Sequence, residues 1–200
     1  MNKSWALFDI KKLLFISTEY ISKLSHQQFF DECYKRASYY HPECKQFFDE
    51  ERDYAFQALN IERLSDNDPK RFSHFATVPE QILFFRDAKS NELYNQAPVA
   101  PSNIDSQTEK DFCEYYIQHC NRSASREERF EQLKQIWQQF WFAVNNQEFK
   151  QWWYKGKIWD LAMLLRIKLC YSTKTPDLRS VMQVMGPDRV KARLLHPCKR

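Results

Sequence analysis

Glycine is almost missing. Gly156 and Gly186 are the only two in 200 residues. Tight hairpins, βαβ turns and phosphate-cradling loops need a residue without a Cβ at defined places. Two glycines cannot supply many of them, so helices joined by ordinary loops are expected. No run of about 18 apolar residues occurs, and no membrane span is expected. The opening "MNKSWALFDIKK" lacks an apolar core followed by a small-residue cleavage site. A cytoplasmic location with reduced cysteines is therefore expected. The six cysteines, at 33, 44, 113, 120, 170 and 198, form no C-x-x-C pair. The nearest metal-like group is Cys113, His119 and Cys120. Zinc sites show paired close spacings, so these read as ordinary helix and core residues, and no metal is expected.

Catalytic signatures are also missing. The chain has no G-x-S-x-G, no G-x-x-x-x-G-K-[ST] and no H-E-x-x-H. The histidines at 26, 41, 74, 119 and 196 have no partner at a diagnostic spacing. No catalytic site is found in the chain.

What is present is apolar and helical. Hydrophobic residues make up 43% and aromatics 16% of the sequence, enough for a real core. Residues 6–16 place Leu7, Ile10 and Leu14 on one helical stripe. Ser25 with Gln28 predicts a capping box, followed by an apolar face of Phe29, Phe30, Cys33 and Ala37. Residues 42–64 continue the pattern, with Phe47, Phe48, Tyr54, Leu59 and Ile61 as core candidates. Asp68 before Pro69, and Thr77 with Pro79 and Glu80, read as helix starts. Residues 95–108 read as a linker.

Helices are expected over about 108–121, 125–144, 146–154, 157–171 and 177–185. In the second, Ser125 and Glu128 form a capping box ahead of a Phe130, Leu133, Ile136, Trp137, Phe140, Trp141 and Val144 stripe, read as core. Gly186 ends one helix and Pro187 opens the last. No period-2 stretch competes with these readings, and the fold class is all-α, without a significant sheet. The stretch "FKQWWYKGKIW" reads as core packing, with base stacking as the alternative.

Charge is unevenly spread. From Arg166 to Arg200 nine Lys or Arg face two acids, a local charge of +7. The chain total of +4 leaves −3 on the preceding 165 residues. A basic segment on an acidic body is the footprint of a phosphate-rich partner, or else a solvated basic helix.

Two stretches, "NKSWALFDIKKLLFISTEYISKLS" (2–25) and "LLRIKLCYSTKTPDLRSVMQVMGPDRVKARL" (164–194), carry a family resemblance. Asn2, Lys3, Ser4, Ala6, Phe8, Asp9, Lys12, Leu13, Tyr20 and Ile21 fit a pattern N-K-S-x-A-x-F-D-x-x-K-L-x-W-x-N-x-x-Y-I. Leu165, Arg166, Leu169, Pro176, Leu178, Val181, Gly186, Arg189 and Leu194 fit P-L-R-x-A-L-T-G-x-x-x-S-P-x-L-x-x-V-x-x-x-L-G-x-x-R-x-x-x-R-L. Between them "KRFSHFATVPEQILFFRD" (70–87) resembles R-x-x-x-L-x-[DE]-x-P-E-x-A-x-F-F. The chain resembles the C-terminal, anticodon-binding half of the bacterial-type glutamyl-tRNA synthetases, class I, in divergent form.

The resemblance implies two packed helical subdomains, 23–84 and 85–200, after a connector at 1–22 that follows a catalytic region. It implies tRNA-Glu as partner and glutamate–tRNA ligation as the parent activity. ATP and magnesium would belong to a catalytic domain whose H-I-G-H-like and K-M-S-K-S-like signatures this chain lacks, and no cofactor is expected within it. A monomer is expected. A free-standing helical derivative that binds a protein partner, or RNA without catalysis, is the alternative.

Carried over residue by residue, the family's reader of the third anticodon base falls on Arg71, and that of the first base on Arg166 with Thr175 and Leu178. Arg189, Lys191 and Arg193 would add phosphate contacts. Each has a plain alternative: surface helix arginines, a capping threonine, a core leucine. The chain departs from the pattern at Leu164 (family proline), at Tyr171 (family glycine) and in three extra residues between Gly156 and Arg166. Loss of both helix breakers predicts a straighter, more continuous helix there.

Overall fold

A computed structural model describes residues 9–63, 71–119, 126–151 and 153–200. The family matches at Asn2, Lys3, Ser4, Ala6 and Phe8, Leu7 of the first stripe, the Asp68–Pro69 start, Cys120 and the Ser125 cap lie outside the described residues. The fold is all-α: the described residues form eleven α-helices and one pair of two-residue strands. No helix among them is long and apolar enough to cross a membrane. Two compact units divide the chain, residues 1–86 and 87–200.

In the first unit, α1 (Ile10–Lys23) begins where the Asp9 carboxylate accepts the Lys11 and Lys12 amides. Its apolar stripe is uncovered: Ile10, Leu13, Phe15, Ile16 and Tyr20 are exposed, and Ile21 is buried. The Arg63 guanidinium donates to the Ile21 and Leu24 carbonyls at the end of α1 and lies 3.8 Å from the Phe29 ring centroid.

The capping box of α2 (His26–Tyr40) forms as its sequence predicts, with the Ser25 hydroxyl on the Gln28 amide and the Gln28 side chain on the Ser25 amide. Phe29, Phe30, Cys33 and Ala37 turn inward. The 42–64 pattern resolves into α3 (Pro42–Glu50) and α4 (Arg52–Leu59), joined at Glu51. A 3₁₀ turn at Phe75–Thr77, α5 (Val78–Ile82) and another 3₁₀ turn at Leu83–Phe85 complete the unit. The core is aromatic. Phe29 packs on Phe72 at 5.0 Å, Phe30 on Phe48 at 5.3 Å, and Tyr54 meets Phe85 edge-on at 5.7 Å. Offset and edge-on ring pairs of this kind add about 0.5–1.5 kcal/mol each beyond their buried area.

The second unit holds α6 (Ser90–Gln96), α7 (Ser106–His119), α8 (Arg126–Gln139), β1 (Phe142–Ala143), α9 (Asn146–Gln151), β2 (Gly156–Lys157), α10 (Ile158–Cys170) and α11 (Leu178–Leu195). The expected linker is a packed loop of this unit. Ala97, Ala100 and Ile104 are buried, and the Ala100 amide donates to the Lys199 carbonyl. The helix expected to reach residue 144 stops at Gln139, because Trp141 takes a left-handed φ of 62° and Phe142–Ala143 pair in parallel with Gly156–Lys157. A Cβ on Gly156 would overlap the Asn103 amide nitrogen, which donates to Asp160 and to the Lys155 carbonyl. That close approach explains this glycine. The other, Gly186, has φ 77° and kinks α11 ahead of Pro187, as the sequence predicts.

Glu109 on α7 and Lys168 on α10 form a buried ion pair of 2.6 Å. Glu109 also accepts the Cys198 amide and the Arg200 guanidinium, both at 2.8 Å. Lys168 also donates to the His196 carbonyl at 2.6 Å. Burial pushes the Glu109 carboxyl up, but the Lys168 and Cys198 hydrogen bonds and the charges of Lys168 and Arg200 outweigh it, so its pKa lies below the ordinary 4.5. Stability from a depressed carboxyl is complete above the ordinary value and is lost as pH falls through the folded-state value. Glu109→Gln should therefore destabilise the chain by about 3–5 kcal/mol at neutral pH, since it strands a buried lysine. Its thermal midpoint should also fall less steeply than that of the native chain below pH 4.5; denaturation followed by circular dichroism across this range checks both.

Candidate nucleic-acid interface

The basic segment folds into a helical hairpin, α10 and α11 joined by residues 171–177. The Leu161, Leu164, Leu165 and Leu169 side chains anchor α10, while Val181, Met182, Val190 and Leu194 anchor α11. The expectation of a straighter helix is overturned at Tyr171. This residue takes the left-handed conformation, φ 55° and ψ 24°, and ends α10 with its amide on the Ile167 carbonyl. A side chain there costs roughly 1–2 kcal/mol. Tyr171 is held in place by that bond and by the Arg193 guanidinium, 5.5 Å from its ring centroid. The chain thus makes a turn suited to glycine with a tyrosine.

In the connecting loop the Thr175 hydroxyl bonds the Pro176 carbonyl at 3.0 Å. Thr175 does not cap α11. Asp177 does, accepting the Ser180 amide and hydroxyl at 3.0 and 3.1 Å. That cap was legible as an acid three residues ahead of a serine at a helix start. Leu178 is half-buried as the first residue of α11.

The cations divide sharply. Arg193 is buried, donating to the Leu169 carbonyl at 2.6 Å and to Asp87 at 3.1 Å. Arg189 donates to the other oxygen of Asp87 at 2.7 Å. Arg166 is half-exposed, and Lys174 and Lys191 are exposed; among the described residues these three side chains have no hydrogen-bond or ion-pair partner. Six of the expected site residues therefore share one hairpin, with Lys174 as an addition. Arg71 belongs to the first unit. Its guanidinium donates to the Ala58 carbonyl at 2.9 Å and to the Gln81 carbonyl and side chain at 2.7 and 3.2 Å. In that arrangement it joins α4 to α5.

The described residues hold no cluster of histidine, cysteine and carboxylate able to bind a metal. The Cys113 thiol is buried and pushed up to about 12, chiefly by desolvation. Nothing in the hairpin forms a nucleophile–base pair. Its chemistry is that of a cationic edge beside a short internally bonded loop.

Over 196 residues the chain is 26% identical to a glutamate–tRNA ligase of Acetivibrio thermocellus, a match covering 97% of the chain. The glutamate–tRNA ligase of Clostridium perfringens strain 13 matches at 26% over 196 residues and the same 97%, and that of Sorangium cellulosum at 28% over 194 residues, 94% of the chain. The chain is related to a region of the glutamate–tRNA ligases. It spans about a third of the length of these curated relatives: 35%, 36% and 33%. No family model matches it.

The division of cations is measurable. Arg193→Met should lower stability by about 2–4 kcal/mol by orphaning the Leu169 carbonyl and part of Asp87. Lys191→Ala should change it by less than about 0.5 kcal/mol. Urea denaturation of the two variants distinguishes them.

Proposed function

We propose that this chain is the anticodon-binding module of a glutamate–tRNA ligase, recognising tRNA-Glu while ATP-dependent glutamylation takes place on a catalytic domain outside it. The observation that carries this reading is the match of 94–97% of the chain to about a third of several such ligases. The all-α fold and the three unpartnered cations of the α10–α11 hairpin support it. Arg166 would stack on or hydrogen-bond the first anticodon base, as a guanidinium can do both. Thr175 and Leu178 would line the same base, the leucine shielding one face from water. Lys191 and Lys174 would meet phosphates, which fix register without reading sequence.

Arg189 is half-exposed beside Asp87 and would join them by exchanging partners. Arg193, buried, would support the turn that presents the loop. Arg71 would reach the third anticodon base only by releasing the Ala58 or Gln81 carbonyl.

A second reading rests on α1, whose exposed Ile10, Leu13, Phe15, Ile16 and Tyr20 suit a protein surface. In it the chain is a free-standing synthetase-derived helical protein with a protein partner.

Fluorescence titration with tRNA-Glu decides between them. Binding should weaken steeply with salt. Arg166→Ala should reduce affinity by about 5–50-fold and relax discrimination at the first anticodon base. Equal affinity for unrelated tRNAs, or no binding at low salt, overturns the first reading.

A further inference from the structure

Residues 149–159, "FKQWWYKGKIW", contain five aromatics and three lysines and no acid. Their expected place was the core, and Gly156 and Ile158 are indeed buried. The rings are not. Trp153 is 99% exposed, Trp159 68%, Phe149 39%, and Trp141 on the neighbouring strand end 61%. Phe142 and Ala143 turn inward opposite Gly156 and Lys157, and the Lys155 amide donates to the Trp141 carbonyl at 2.9 Å. The left-handed φ of Trp141, 62°, ends α8 with the ring on the outside. A backbone conformation unfavourable to a side chain thus presents an indole to solvent, and each such ring forgoes about 2–3 kcal/mol of burial.

Lysines separate the rings. The Lys157 ammonium lies 5.1 Å from the Phe149 ring centroid. Lys155 is exposed and donates to the neutral Thr108 hydroxyl. Lys150 is exposed, with no hydrogen-bond or ion-pair partner among the described residues. The flanking acids are half-buried and occupied. Glu148 accepts the Val144 amide at 2.9 Å, and Asp160 accepts the Lys157 amide at 2.9 Å and the Asn103 side chain at 2.8 Å. Protein-binding cores are poor in lysine. Aromatic rings alternating with lysine ammonium groups, with Asp105 the acid beside Lys155, instead match a chain of π-faced bases joined by phosphates.

We propose that Trp141, Trp153 and Trp159, with Lys150, Lys155 and Lys157, form a stacking surface for unpaired bases of single-stranded RNA. The surface is sequence-tolerant, because every base has a π-face. It does not rest on anticodon reading by the hairpin.

The test uses the full chain and a labelled single-stranded RNA of roughly 12 nucleotides without a stem. Low-salt anisotropy should show binding, and the RNA should quench tryptophan emission. Trp153→Ala with Trp159→Ala should weaken binding about tenfold or more and remove most of the quenching. Lys150→Glu with Lys155→Glu should also weaken binding and flatten its salt dependence. These side chains are exposed, so the circular dichroism melt should not move. Unchanged RNA affinity in the tryptophan double variant overturns the proposal, as does RNA binding that only Arg166→Ala removes. A double variant that loses a protein partner while retaining RNA affinity overturns it in favour of a protein surface.

Discussion

The buried contact between Glu109 and Lys168 holds the second unit together. Four chain segments meet on these two side chains: α7, α10, the residue after α11 and the last three residues. Such a pair is stable only when its remaining lone pairs and protons are also bonded. Here the Cys198 amide, Arg200 and the His196 carbonyl do so. Lys168 lies two residues from Arg166, so the same contact that closes the chain end also sets where α10 presents its unpartnered guanidinium.

A second constraint acts at the hairpin turn. Tyr171 ends α10 with a left-handed backbone, a conformation that glycine adopts more readily than a residue with a side chain. Arg193 makes that tolerable by bonding the last turn of α10 and lying against the tyrosine ring. Its partner Asp87 also receives Arg189. One carboxylate thus pairs with two cations of α11, the buried Arg193 and the half-exposed Arg189.

The charge of the last 35 residues is a poor guide to where a polyanion could bind. Arg63, Arg86 and Arg193 are buried on carbonyls or carboxylates, and Arg71 bridges two helices. On the hairpin, the cations left without a hydrogen-bond or ion-pair partner among the described residues are Arg166, Lys174 and Lys191. Arginine suits internal duty because its planar fork serves several carbonyls at once. Lys174 and Lys191 stay outside, whereas Lys168 is buried on Glu109 and the His196 carbonyl.

Local order was fixed by the sequence alone. The Ser25–Gln28 box, the apolar face of α2, the Gly186–Pro187 break and the all-α class follow from 3.6-residue periodicity, capping chemistry and glycine scarcity. The candidate hairpin, too, was located by its pattern. Which of its cations are free, why Tyr171 sits in a glycine conformation, and why the tryptophans around β2 face water were decided by tertiary structure. Each depends on partners far along the chain: Asp87 for Arg193, Asn103 for the Gly156 approach, and Trp141 for Lys155. A periodic pattern gives the face a residue occupies on its own helix. Only the packed neighbour determines whether that face is covered.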